Sequence, residues 1–263
     1  MFTQPRLSVN LNKIALLRNS RRTGVPDVLR FAALAHEAGA DGITVHPRPD
    51  ERHIRRSDVI DLARQMQPWR PRFELNLEGY PDDRFFELLR LVRPEQCTLV
   101  PDAPDAFTSE EGWKFDAQER PIIARAVTAA EQCGARVILF VDPDPTLVSS
   151  VASIGADGIE IYTGSYAASV RAGSGQSLLN SIAETAQRAS DLALAVNIGH
   201  DLNLQNLPHL VATMPAVSEA SIGHELTADA LTMGFKAAVV AYKAALAKPH
   251  HHSADRRDPR PGD

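Results

Sequence analysis

Cysteine is scarce in this chain of 263 residues, which contains only Cys97 and Cys133. So few cysteines argue against a disulfide framework, and free cysteines are often buried as small apolar residues. No apolar run reaches the ~18 residues that a membrane span needs, and residues 1–6 lack the apolar core of a secretory signal. A net charge of −5 provides no general attraction for nucleic acid or for an anionic membrane. We therefore expect a cytoplasmic globular protein without either partner.

Residues 248–263 differ in composition from the rest of the chain. They contain proline, aspartate, arginine, histidine and glycine but no large apolar residue, so burial cannot offset the entropy lost on ordering them. The whole chain is 44% hydrophobic and 23% charged, which is ordinary for a globular domain. We expect one domain over residues 1–247 and a disordered tail over residues 248–263.

Strand-like and helical patterns alternate along residues 1–247. The strand-like segments are Leu7–Asn12, Gly42–His46, Arg72–Glu78, Gln96–Pro101, Arg136–Asp142, Gly158–Gly164, Leu192–His200 and Val217–His224. The helical patterns are Asp27–Ala38, Ser57–Gln67, Asp82–Val92, Ala117–Cys133, Leu147–Ser153, Ser177–Ala189, Leu204–Thr213 and Leu226–Ala247. This alternation favours parallel strands joined by helices. Eight such units predict a (β/α)8 barrel, a fold of typically ~250 residues.

Ionisable side chains occur where several predicted strands end. Four of them end a strand and a fifth lies in the loop after the second strand: His46, Glu78, His200, His224 and His53. In a barrel, the carboxyl ends of all strands form one rim, where such enzymes keep their chemistry. We therefore expect these five side chains to share one site.

Histidine and glutamate suit repeated proton transfers on a carbonyl or imine substrate, because burial and neighbouring charges adjust their pKa values. A metal site is the alternative, since scattered strands can also bring such ligands together. Residues 1–247 lack the paired spacings common in zinc sites, such as His-x-His or His-Glu-x-x-His. We expect acid–base chemistry without a metal.

Two Gly-His pairs indicate phosphate binding. Gly199-His200 and Gly223-His224 follow the last two predicted strands and precede helices. Barrels frequently bind phosphate at these two loops through backbone N–H groups near a helix N-terminus. Arginines in the loops after the first two strands could add charge-assisted hydrogen bonds; they are Arg21, Arg48 and Arg52.

Several motifs together resemble the pyridoxine 5'-phosphate synthase family. They occur in the family's order and spacing from about Leu7 to Ala247, and they are the runs Ser8–Arg21, Gly39–His46, Glu51–Ile54, Asn76–Glu78, Leu99–Pro101, Val196–His200 and Ser221–His224. The resemblance implies a (β/α)8 barrel with extra helices, commonly a homo-octamer, that uses no metal or organic cofactor. It implies condensation of 3-amino-2-oxopropyl phosphate with 1-deoxy-D-xylulose 5-phosphate to pyridoxine 5'-phosphate, phosphate and water.

The resemblance also assigns roles to individual positions. His46 and Glu78 match the family's proton acceptors, and His200 matches its proton donor. The positions that hold the aminoketone phosphate are matched by Asn10, Arg21, Gly223 and His224. Those that hold the pentulose phosphate are matched by Arg48, His53 and Thr108. A Pro- and Asp-rich segment from Asp102 to Gly112 is a candidate for loop motion.

The sequence departs from the family at a few positions near the substrates. Asn12 and Lys13 stand where many members have aspartate and histidine, although Lys13 can still pair with a phosphate. Arg22 stands where glycine is common. Asp201 replaces a glycine that contacts substrate in many members, and an acid there repels phosphate unless it points away. Asn12, Lys13 and Asp201 are therefore expected at the substrate site.

Two other functions remain open for such a chain. An aldolase or isomerase acting on a phosphosugar could use the same fold, since fold does not fix chemistry. A Schiff-base aldolase needs a lysine at a strand end, and Lys13 is the lysine in that position. A non-catalytic barrel that binds a phosphorylated metabolite is the other alternative.

Overall fold

A computed structural model describes residues 4–102, 109–214 and 216–247 of the chain. Within these ranges, eight strands form a closed barrel in the order β1 to β8, and all neighbouring pairs are parallel, including β8 with β1. The strands are β1 (Arg6–Asn10), β2 (Gly42–Val45), β3 (Glu74–Gly79), β4 (Gln96–Leu99), β5 (Arg136–Val141), β6 (Gly158–Tyr162), β7 (Ala195–Gly199) and β8 (Glu219–Ile222). The predicted (β/α)8 barrel is confirmed.

The same ranges contain eleven helices. They are α1 (Asn12–Asn19), α2 (Val28–Glu37), α3 (Arg56–Gln65), α4 (Asp83–Val92), α5 (Glu119–Cys133), α6 (Val148–Ile154), α7 (Gly164–Arg171), α8 (Gln176–Asp191), α9 (Leu207–Thr213), α10 (His224–Met233) and α11 (Phe235–Ala245). No helix in the described part of the chain combines the length and the apolar character needed to cross a membrane.

The barrel interior is lined by polar side chains rather than by the branched apolar residues usual in this fold. The Ser8 and Thr44 hydroxyls lie 2.7 Å apart, and the Asn76 amide donates to the Thr98 hydroxyl at 3.0 Å. Successive side chains of a strand point to opposite faces. Ser8, Thr44 and Asn76 point into the barrel. The residues two positions further along each chain segment, which are Asn10, His46 and Glu78, therefore point inward as well. The strand period thus brings these three side chains to the carboxyl rim.

Two similar turns fix the starts of strands on opposite sides of the barrel. The Asp41 carboxylate accepts a hydrogen bond from the backbone N–H of Leu7 at 2.7 Å. The Asp157 carboxylate accepts the equivalent bond from Val137, also at 2.7 Å. Each aspartate lies in the turn between a helix and the next strand. Its hydrogen bond joins this turn to the neighbouring earlier strand, which is β1 for Asp41 and β5 for Asp157. The Gly-Ala-Asp-Gly sequence of both turns therefore has a structural role.

The prediction of one helix over Leu226–Ala247 was wrong. The chain instead forms α10 and α11, which are separated by Gly234. Gly234 has φ 86° and ψ 146°, a conformation outside the helical region that side chains other than glycine rarely adopt. The two helices pack against each other as a hairpin at the end of the described chain.

Two helices were absent from the sequence-based prediction. Helix α1 begins at Asn12, the last residue of the first predicted strand, and occupies most of the segment before Arg21 that we predicted as a loop, and α7 begins at Gly164, where we predicted strand. Neither helix begins with a side chain that caps its N-terminus. The N-cap residue of α1 is Leu11, which gives no sequence signal for a helix start, whereas that of α7 is Thr163, a favoured residue type whose hydroxyl donates to the Gly199 and His200 carbonyls instead.

Candidate active site

The carboxyl rim of the barrel surrounds a cavity of about 300 Å³. Its lining contains eleven of the predicted site residues, which are Asn10, Asn12, Lys13, His46, Arg48, His53, Glu78, His200, Asp201, Gly223 and His224. Five other residues also line it, namely Leu16, Arg52, Ser109, Glu160 and Ser221. Arg21 is exposed just beyond the end of α1 and is not part of this lining. Thr108 lies outside the described residues.

Asn12 links the first strand to His46. The Asn12 side-chain oxygen accepts a hydrogen bond from the backbone N–H of His46 at 2.9 Å. The Asn10 side-chain oxygen in turn accepts from the backbone N–H of Asn12 at 2.9 Å. An amide provides the acceptor that this contact needs, so the departure from aspartate at Asn12 preserves the support of His46.

His46 and Glu78 form a buried pair on neighbouring strands. His46 Nδ1 lies 3.2 Å from Glu78 Oε1, and both side chains are almost inaccessible to solvent. Burial raises the pKa of the Glu78 carboxyl, but the charge and hydrogen bond of His46 and the charges of His200 and Arg48 outweigh burial and lower it to about 2. Glu78 is therefore ionised near neutral pH and can accept a proton.

His200 is held in an unusual backbone conformation. Its φ of 79° lies in the left-handed region, which is uncommon for a residue other than glycine. The imidazole lies between the Phe140 and Tyr162 rings, with centroids 5.1 and 5.4 Å away. Burial lowers the pKa of His200, against the opposing charges of nearby carboxylates such as Glu78. Strained backbones of this kind cluster at functional sites.

Glu160 on β6 reaches the same cavity, a placement that the sequence left open. Burial raises the pKa of its carboxyl well above the usual value, and the charges of Glu78 and Glu219 raise it further. The pKa values of the two carboxyls in this cavity are therefore shifted in opposite directions, that of Glu160 upward and that of Glu78 downward. A methyl group on Gly199 would lie 2.2 Å from Glu160 Oε1, so only glycine leaves room for this carboxyl.

Helix α1 holds the loop that carries His53 through side-chain hydrogen bonds. The Arg18 guanidinium donates to both carboxylate oxygens of Asp58, at 2.6 and 2.8 Å, and also to the His53 carbonyl at 3.1 Å. The Asn19 amide donates to the same carbonyl at 2.8 Å. Arg18 is therefore engaged in holding the loop rather than in binding substrate.

His53 is a neutral imidazole in this site. Burial lowers its pKa to about 3, and the charges of His46 and Arg48 contribute in the same direction. The His53 Nδ1 accepts from the backbone N–H of Ile54 at 2.9 Å, which leaves Nε2 as the N–H donor. His53 can thus donate a hydrogen bond to a substrate oxygen.

The N-terminus of α10 opens onto the cavity at Gly223 and His224. His224 is the first residue of the helix, and Gly223 precedes it. A Cβ atom on Gly223 would lie only 3.0 Å from the Asn10 Cβ, so glycine permits close packing of the β1 and β8 ends. Unpaired backbone N–H groups at such a helix end bind anions.

Metal ligation has no support in the described geometry. Within residues 4–102, 109–214 and 216–247, no group of three or more His, Cys, Asp or Glu side chains could hold a metal ion. The absence of a cofactor stays a prediction. Fold and cavity together define the class of protein, a (β/α)8 barrel enzyme whose rim cavity gathers ionisable side chains beside a helix N-terminus.

Comparison with known proteins identifies the family. The family model described as "Pyridoxal phosphate biosynthesis protein PdxJ" matches residues 7–248, and the chain belongs to this family. A relative from Albidiferax ferrireducens named pyridoxine 5'-phosphate synthase is 48% identical over 251 residues, which are 92% of this chain and 98% of the relative. A relative of the same name from Porphyromonas gingivalis is 47% identical, over 92% of this chain and 99% of that protein. The family that we predicted from the motifs is confirmed.

Solved structures support the fold independently. Tryptophan synthase from M. tuberculosis aligns with a TM-score of 0.61 and 15% identity, covering 92% of both chains. Phosphoribosyl anthranilate isomerase from Thermotoga maritima aligns with a TM-score of 0.59 and 13% identity, covering 92% of this chain and 98% of the other. At such identities the similarity shows the fold alone.

Proposed function

We propose that this chain condenses 3-amino-2-oxopropyl phosphate with 1-deoxy-D-xylulose 5-phosphate to form pyridoxine 5'-phosphate, phosphate and water. Family membership and relatives 45–48% identical that are named pyridoxine 5'-phosphate synthase support this reaction. The observation that carries the proposal is the buried pair of His46 and Glu78, which faces the same cavity as His200.

His46, Glu78 and His200 are the proposed proton-transfer groups. The amine of one substrate must attack a ketone of the other, lose water, expel phosphate and close a ring by a second carbonyl addition, and these steps move protons at carbon or oxygen. Glu78, whose carboxyl is ionised near neutral pH, acts as a proton acceptor together with His46. His200 acts as the proton donor. Groups on separate strands around one captive substrate provide the orientation that this sequence of steps needs.

The two phosphates are proposed to bind at different parts of the rim. Asn10, Gly223 and His224 hold the aminoketone phosphate at the N-terminus of α10, with Arg21 adding charge from outside the present cavity lining. Arg48, His53 and Thr108 hold the pentulose phosphate. Asn12, Lys13 and Asp201 complete the substrate site at the positions where the sequence departs from the family.

A Schiff-base aldolase is an alternative function that can be tested at one residue of the cavity. Lys13 lines the cavity, so its amine could reach a carbonyl substrate. Borohydride trapping followed by mass spectrometry exposes any covalent adduct at Lys13. The condensation that we propose gives none there.

We also propose that the protein is a homo-oligomer in the cytoplasm, and an octamer by family resemblance. Helix α1 exposes Leu16 and Leu17, and the α10–α11 hairpin, part of which contacts α1, exposes Leu231, Met233 and Val240. Exposed apolar side chains in such number on neighbouring helices are typical of a contact surface. The free, buried cysteines Cys97 and Cys133 suit a reducing compartment.

The decisive experiment is an assay of the purified protein with both substrates, following pyridoxine 5'-phosphate fluorescence and phosphate release. Ring formation by the parent protein and its near loss in His200→Ala support both the reaction and the proton donor. Folded parent protein that forms no product rejects the proposal. Unchanged substrate binding without turnover would instead favour a non-catalytic barrel.

A further inference from the structure

One buried ion pair separates two cavities at the rim. Beside the candidate active site lies a second cavity of about 390 Å³, lined largely by apolar side chains such as Tyr80, Phe85 and Leu88. Arg48 lines both cavities, whereas Asp102 lines only the second. The pair of Arg48 and Asp102 therefore forms part of the wall between them.

The contacts of Asp102 are close and directed. Arg48 Nη2 donates to Asp102 Oδ2 at 2.5 Å, and the Ser109 hydroxyl donates to the same oxygen at 2.5 Å. The side chains of Arg48 and Asp102 are 4% and 7% exposed. Two donors on one carboxylate oxygen fix the orientation of the carboxylate, and the carboxylate in turn fixes one edge of the guanidinium.

Asp102 is well placed by the backbone for this contact. It follows β4 directly after Pro101, and the β4 end is tied down by the indole N–H of Trp113, which donates to the Leu99 carbonyl at 2.8 Å. Trp113 is itself fully buried. The carboxylate therefore projects from a rigid support, and its position does not depend on a flexible side chain alone.

We propose that Asp102 is a positioning residue, which holds the Arg48 guanidinium in the wall where it lines the substrate cavity. This inference rests on the proposed function in one respect, because that function assigns the pentulose phosphate to Arg48. Arginine presents its five N–H donors in a rigid fork. Fixing one edge of the fork on a carboxylate fixes the direction of the others.

A purely structural ion pair would have different consequences. Buried ion pairs often contribute little to stability compared with apolar replacements, so burial by itself does not explain this one. A positioning role predicts that loss of Asp102 acts through Arg48 and affects one substrate. A structural role predicts that both substrates, or neither, are affected.

The test is a double-mutant cycle on Arg48 and Asp102, with Arg48→Ala, Asp102→Ala and the double variant, and with Asp102→Glu as the conservative variant that keeps the carboxylate. We expect Asp102→Ala to lower kcat/KM for the pentulose phosphate on the order of 10- to 100-fold through a raised KM, with the KM of the aminoketone phosphate unchanged. The double variant should be no worse than Arg48→Ala alone, and Asp102→Glu should recover most of the loss.

Asp142→Asn is the matched control. Asp142 follows the neighbouring strand β5 and pairs with Lys114, outside both cavity linings. It should leave both KM values unchanged. Additive effects in the cycle, or equal changes in both KM values, would overturn the inference while leaving the reaction established.

A crystal structure of Asp102→Ala separates this inference from the proposed function. The expected result is an Arg48 guanidinium turned away from its position in the wall. An unmoved guanidinium overturns the inference, whatever the assay shows. If the parent protein forms no product, the proposed function fails, and this structure still decides whether Asp102 positions Arg48.

Discussion

His46 Nδ1 lies 3.2 Å from Glu78 Oε1, across the gap between the ends of β2 and β3. The contact joins two residues that are 32 positions apart in the chain, and both side chains are almost inaccessible to solvent. A carboxylate so placed remains ionised because the neighbouring positive charges outweigh the cost of burying it.

Glu78→Gln should lower kcat by about 10²- to 10⁴-fold, because the amide keeps the shape of the side chain but cannot accept a proton. Steady-state kinetics with both substrates provide the measurement. Glu219→Gln is the matched control. Glu219 is also buried, but it does not line the cavity, and at the start of β8 its carboxylate accepts a hydrogen bond from the Gln96 amide. Equal losses in the two variants would contradict a specific role for Glu78.

His53 should make the protein less stable as the pH falls. Its folded-state pKa of about 3 is below the ordinary 6.5, so between these values the unfolded chain binds more protons than the native protein. The free energy of unfolding therefore rises with pH across this window, by up to about 1.4 kcal/mol per pH unit for one proton.

The measurement compares parent protein and His53→Gln by denaturant unfolding at several pH values between 4.5 and 6.5. Glutamine remains neutral, so the variant should lose this part of the slope. Glu78, with an ordinary pKa of 4.5, contributes in the same direction at the acid end of this range, but it is present in both proteins, so its contribution cancels in the comparison. Identical slopes in the two proteins would show that His53 is not buried as a neutral imidazole.

Arg18→Met should destabilise the protein by about 3–5 kcal/mol, because the Asp58 carboxylate would remain buried without its partner. The double variant Arg18→Met with Asp58→Asn removes that charge and should recover much of the loss. Arg125→Met is the control: Arg125 and Asp83 form an exposed pair, which contributes about 1 kcal/mol or less. Thermal unfolding of the four proteins distinguishes these cases.

Asp201→Gly should lower the KM of the aminoketone phosphate severalfold by removing a negative charge from the cavity rim. Asp201 has φ 57°, and its carboxylate lies 3.9 Å from the Arg171 guanidinium. Asp201→Ala removes the same charge but keeps a Cβ atom in the left-handed conformation, at a cost of about 1–2 kcal/mol relative to glycine. Unchanged KM values in both variants would show that the carboxylate does not influence the phosphate.

The grouping of the candidate site residues around one cavity was predicted more completely than the helices were, while the roles of these residues stay predictions. Histidine and glutamate at strand ends can be recognised from the sequence as candidate site residues, because the parallel strands of a barrel all have their carboxyl ends at one rim. Glu160 escaped assignment because it lies within its strand rather than at the end. Its place in the cavity depends on the missing side chain of Gly199, a residue 39 positions later in the chain.

The sequence by itself determined the barrel, the family and the rim on which the site lies, since period-two and helical patterns are local properties that any window of the chain displays. The tertiary structure decided which polar groups meet and which charges they carry. Arg18 supports the His53 loop through Asp58, 40 positions away in the chain. Two glutamates in one cavity have pKa values shifted in opposite directions. Such outcomes depend on burial and on distances between strands that are far apart in sequence, and these arise only when the barrel closes.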